Sequence, residues 1–132
     1  MVTRAPRDIV KAAAVAAVLS GAPSTMWTLA RRGDLLASTR AAGTMAGGRP
    51  SIVRGVAVHS VLSLGWTVVL DRVIGARRHT IVIGAVAGAA IAALDVGVVA
   101  PRRFAAVAAL PRGPLVADHI AFGGLVGWML SR

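Results

Sequence analysis

Four ionisable side chains lie inside long apolar runs of this 132-residue chain: His59, Asp95, Asp118 and His119. Ser20, Ser24 and Ser63 are hydroxyl groups within the same runs. An aspartate facing a histidine can hold or pass a proton, because an imidazole titrates near pH ~6.5. Two histidines with one or two aspartates could also ligate a metal, yet no HxxxH or HExxH spacing is present. Nucleophilic catalysis needs an activated Ser or Cys beside a base. The chain has no Cys, and its serines stand at helix-packing steps without a recognisable catalytic constellation. No glycine-rich phosphate loop is present either. The sequence therefore predicts no catalytic residue, no metal and no cofactor. It points to a polar intramembrane layer made by His59, Asp95, Asp118, His119, Ser20, Ser24 and Ser63.

The elements that must carry this layer follow from composition. Hydrophobic residues make up 56% of the chain, and 15 glycines raise the apolar share to about two-thirds, against ~45–50% in ordinary soluble domains. Mean hydropathy is +0.73 on a net charge of +10. A soluble nucleic-acid module would not combine these values, so the expected partners are the bilayer and its anionic lipids. A protein partner or a second copy is also expected, and no nucleic acid. Glu, Asn, Gln and Tyr are absent, all five acids are Asp, and Lys11 is the one basic residue that is not Arg. Polar work inside a membrane thus falls to Ser, Thr, His, Asp, Arg, Lys11, Trp and backbone.

A membrane-crossing helix needs ~20 mostly apolar residues. Four windows meet this, at about 9–30, 51–70, 80–100 and 114–130, the last one short. The expected fold is all-α: a single-domain, four-helix transmembrane bundle. Arg31, Arg32, Arg77, Arg78, Arg102 and Arg103 punctuate the ends, and Trp27, Trp66 and Trp128 fall close to them, where indoles anchor. The first window resembles a signal peptide, with Ser20-Gly21-Ala22 as a small-residue site. Pro23 would obstruct cleavage there, so the segment reads as a retained first helix. In the first loop, Asp34 can cap a helix whose Leu35, Leu36, Thr39, Ala42, Gly43 and Ala46 form one stripe, which predicts a short interfacial helix.

Helical periodicity places the polar residues on packing faces. Ala12, Ala16, Ser20, Ser24 and Thr28 share one face of the first span, and Gly55, His59 and Ser63 one face of the second. Gly84, Gly88, Ala92 and Asp95 share a face of the third, and His119, Gly123 and Gly127 one of the fourth. Small residues at these steps let helices approach closely. Asp118 lies ~100° round from His119 and must point elsewhere. Pro23 supplies no N–H and interrupts the first span. All the ionisable groups fall in the same half of the bilayer, which argues that they meet.

The chain also carries a faint internal repeat. Ala13-Ala14-Val15-Ala16-Ala17-Val18 resembles Ala89-Ala90-Ile91-Ala92-Ala93-Leu94, and Val56-Ala57-Val58-His59 resembles Val116-Ala117-Asp118-His119. Both members of the second pair follow Arg-Gly, which would fit a duplicated helical hairpin.

Several segments resemble small uncharacterised four-span integral membrane proteins of actinobacteria. These are Ser20-Gly21-Ala22-Pro23-Ser24-Thr25, Ala41-Ala42-Gly43-Thr44, His59-Ser60-Val61-Leu62-Ser63-Leu64-Gly65-Trp66 and Asp118-His119-Ile120-Ala121-Phe122-Gly123. The resemblance implies a four-helix bundle in a bacterial plasma membrane and carries over no functional residue. Orientation rests on Arg4, Arg7 and Lys11, which lead the first span and favour a cytoplasmic N-terminus. Seven bases expected on that side against eight on the other leave the positive-inside rule otherwise balanced. The expected function is a non-enzymatic structural or accessory component of a membrane assembly. The alternative is a small proton-linked transporter or channel built on the Asp/His layer.

Overall fold

A computed structural model describes residues 4–75 and 77–132, and all regular structure among them is helical. The first apolar run forms α1 (Pro6–Leu19) and α2 (Ala22–Ala30), which meet at Ser20-Gly21. Helix α3 (Ala37–Gly43) and a 3-10 turn over Thr44–Ala46 occupy the first loop. Helix α4 (Ile52–Ile74) follows, opened by the Ser51 hydroxyl accepting from the Arg54 N–H. Helix α5 (Thr80–Leu94) continues through a π-helical segment, Asp95–Val99, into α6 (Ala100–Arg103). One further turn, α7 (Ala105–Ala108), leads to α8 (Arg112–Met129).

Among the described residues, three helices are long and apolar enough to cross a membrane: Pro6–Ala30, Ile52–Ile74 and Thr80–Arg103. They point to a membrane protein. Helix α8 is not among the three. Its 18 residues include Arg112, Asp118 and His119, which dilute its apolar character. The second apolar helix runs a turn beyond the window expected from sequence, through Asp71 and Arg72 to Ile74. Trp66 consequently lies two turns from the helix end and packs on the core instead of marking a boundary.

One core joins α1, α4, α5 and α8. Ala12, Ala16, Leu70, Ile74, Ile91, Phe122, Val126 and Leu130 are all buried in it. The outer faces are apolar as well: Val18 is 78% exposed and Val53 80%. Val56, Val61, Leu62 and Leu64 of α4 are exposed too, which suits helices whose solvent is lipid.

Backbone contact, rather than interdigitated side chains, closes the α5–α8 pair. A Cβ built at Gly84 would collide with the Gly123 carbonyl, and one at Gly123 with the Gly84 carbonyl. Gly88 meets the His119 carbonyl and Gly127 the Thr80 carbonyl in the same way. Glycine is required at each position because any side chain would force the helices apart. A second close approach, Gly43 to Ser51 and Gly55 to Thr39, seats α3 against the start of α4. Asp34 does not cap α3 from the N-cap position, which is Leu36. Its carboxylate instead accepts from the Leu36 N–H at 3.0 Å and pairs with Arg40.

Candidate functional site: the polar layer around the broken first helix

The layer is organised by the interruption between α1 and α2. Pro23 has no N–H, so the Leu19 carbonyl loses its helical partner, and the helix restarts with Gly21 at the N-cap. A helix end leaves its last carbonyls and first N–H groups unpaired, and unpaired backbone groups are costly in an apolar medium. Side chains from two other helices supply partners to two of the groups beside the break. Helix α8 sends Asp118, whose Oδ1 accepts from the Ser24 N–H at 2.9 Å. Helix α4 sends His59, whose Nε2–H donates to the Ala17 carbonyl at 3.0 Å. One residue thus serves the first turn of α2 and the other the last turn of α1.

Ser24 completes this arrangement locally. Its hydroxyl donates to the Gly21 carbonyl at 3.2 Å, and its own carbonyl accepts from the Thr28 hydroxyl at 2.8 Å. Ser20 and Ser63 are buried on packing faces. The Ser63 carbonyl accepts from the Thr67 hydroxyl at 2.7 Å, and Thr67 is wholly buried.

A separate pair lies on the other side of α8. His119 Nδ1–H donates to the Leu115 carbonyl at 2.7 Å, which turns Nε2 toward Asp95 Oδ2, 3.6 Å away. Asp95 begins the π-helical segment, where the Ala100 N–H reaches back to the Asp95 carbonyl. The two neighbours on α8 therefore diverge: Asp118 to α2, His119 to Asp95. His59 forms neither a hydrogen bond nor an ion pair with Asp95, Asp118 or His119 among the described residues, and its side chain is exposed. The layer is thus two clusters: a clamp on the helix break (Ser24, His59, Asp118) and a carboxylate–imidazole pair (Asp95, His119). The chain matches no protein-family model, no curated protein and no solved structure.

One cluster escaped sequence reasoning altogether. Arg4 pairs with Asp71 and donates to the carbonyls of Gly75 at 3.0 Å and Leu130 at 2.8 Å. It ties the start of α1, the end of α4 and the end of α8 together at the end of the molecule opposite the layer. In the sequence, Arg4 and Asp71 read as ordinary flanking charges 67 positions apart. The one available signal was that Asp71 is an acid at the end of an apolar run. Among the described residues no three His or Asp side chains lie close enough to hold a metal ion.

Proposed function

We propose that the chain is a non-enzymatic, four-span protein of the bacterial plasma membrane, a structural or accessory component of a membrane assembly. The observation that supports this reading is how the ionisable groups are spent. Asp118 and His59 each bond one backbone group beside a helix break, and His119 is held by a carbonyl of its own helix. In this reading α8 is the fourth span, since Asp118 and His119 face α2 and Asp95 while its lipid-facing positions are apolar. Both termini lie in the cytoplasm, because Arg7 and Lys11 lead the first helix and remain exposed. The exposed valines and leucines of α4 offer a face to lipid, to a partner or to a second copy. Extraction in a gentle detergent should recover the chain with a stoichiometric partner. Recovery as a solitary monomer would count against the reading. Activity of a periplasm-only reporter fused after Arg132 would overturn the orientation.

A second reading, a small proton-linked transporter or channel, is favoured by one observation. Asp95 and His119 form a carboxylate–imidazole pair at the start of a π-helical segment, a distortion that recurs at functional sites. Asp95→Asn separates the two. It keeps a hydrogen-bonding group but removes charge and titration. The structural reading expects near-parental stability and no pH-driven flux in liposomes for either protein. The transport reading expects flux in the parent and a stable, inactive Asn variant.

A further inference from the structure

The end of the molecule opposite the polar layer carries an open cleft of about 450 Å³ between the end of α4, the start of α5 and the end of α8. Arg4, Arg77, Arg78, His79, Thr80 and Ser131 line it. Arg4 is already committed to Asp71 and to the Gly75 and Leu130 carbonyls. Arg77 and Arg78 are exposed and have no ion-pair partner among the described residues.

The chain has no spare acid to neutralise them. Its five acids are Asp8, Asp34, Asp71, Asp95 and Asp118. Four stand against Arg7, Arg40, Arg4 and His119, and the fifth accepts the Ser24 N–H. The cleft is therefore rich in donors, with two guanidinium groups, an imidazole and two hydroxyls, and poor in acceptors. Guanidinium groups match tetrahedral oxyanions through paired N–H donors.

We propose that this cleft binds a phosphate group. Its place at the ends of α4 and α5, two helices of membrane length, puts it at headgroup depth, so that an anionic phospholipid is the first candidate and a soluble phosphate ester the other source of the same chemistry. The proposal requires only that the helices sit in a membrane and is independent of whether the protein is structural or transports protons.

The test is native mass spectrometry of the full chain in detergent, titrated with phosphatidylglycerol and with phosphatidylcholine. The expected result is selective retention of phosphatidylglycerol. Arg77→Gln with Arg78→Gln should reduce that selectivity by about fivefold for each arginine lost. Arg103→Gln with Arg112→Gln removes the same charge from the opposite end and should leave selectivity intact. Arg77→Lys with Arg78→Lys should keep most of it, and it remains informative if the Gln pair folds poorly. Competition by millimolar glycerol 3-phosphate would assign the cleft to soluble esters, and no competition to lipid. Equal retention of the two lipids by the parent, or equal losses from the two Gln pairs, would overturn the proposal.

Discussion

Two helix pairs of the molecule, α1 with α4 and α5 with α8, are held together differently. In the first, α1 packs against α4, while α2 packs against α8; in the second, α5 packs against α8. Each opens with an Ala-rich run that ends at an irregularity near a glycine: Gly21 in the break between α1 and α2, and Gly97 in the π-helical segment. An Ala-Pro pair follows in both, Ala22-Pro23 and Ala100-Pro101. In both, a histidine of the returning helix reaches the neighbourhood of the irregularity. His59 reaches the Ala17 carbonyl, and His119 reaches Asp95. The second pair closes on bare backbone through Gly84, Gly88, Gly123 and Gly127. The first carries small side chains instead of bare glycine, with Ala12, Ala16, Ser63 and Thr67 buried. A glycine seam allows the closest approach and no substitution. A seam of Ala, Ser and Thr leaves room for a broken helix, provided that other side chains satisfy the break.

The strongest way to break this comparison is to place a side chain in the glycine seam. Gly84→Leu should destabilise the protein by ~3 kcal/mol or prevent its isolation, since overpacking typically costs ~1–3 kcal/mol and here the obstacle is backbone. Gly65 has open space where its Cβ would stand. Gly65→Ala should leave stability unchanged or raise it by up to ~1 kcal/mol. Denaturant unfolding in one detergent compares the two. Equal behaviour of the two variants would mean that the seam does not hold the pair.

A smaller effect is expected at the helix break. Asp118→Ala should cost ~1–2 kcal/mol, the usual value of an N-terminal cap, by leaving the Ser24 N–H unpaired. Asp118→Asn keeps an acceptor oxygen and should recover at least half of that loss. Hydrogen exchange at Ser24 reads the effect directly. Unaltered protection of that amide in Asp118→Ala would remove Asp118 from the clamp.

The smallest effect distinguishes the two histidines. His59 is exposed and donates to one carbonyl, so His59→Ala should cost ~0.5–1 kcal/mol, typical of an interhelical hydrogen bond in a membrane. His119 is half-buried and also faces Asp95, so His119→Ala should cost more by leaving that carboxylate without its partner. A His59 variant weaker than the His119 variant would reverse the assignment of roles.

What could be read before any coordinates was whatever repeats along a helix. The stripes Gly84, Gly88 and Gly123, Gly127 stand at four-residue steps, and a four-residue step puts residues on one face. Four apolar runs read as spans, and three of them form helices long and apolar enough to cross a membrane among the described residues. The divergence of Asp118 and His119 follows from their ~100° offset on one helix. Local periodicity does not choose partners, however. The Ser24–Asp118 bond joins residues 94 apart, the His59–Ala17 bond residues 42 apart, and Arg4 reaches across 67 and 126 positions. The four ionisable residues fell at similar depths along their helices. Depth along a helix leaves rotation about the bundle open, so only packing could divide them into a helix-break clamp and a separate Asp95–His119 pair. Pro23 announced a missing N–H, but which side chains would satisfy the break depended on how α4 and α8 lie against it. The physical reason is that hydropathy and spacing act within one helix, whereas caps and ion pairs act between helices. Their geometry exists only once backbone contact at the glycines has set the distance and rotation of each helix against the next.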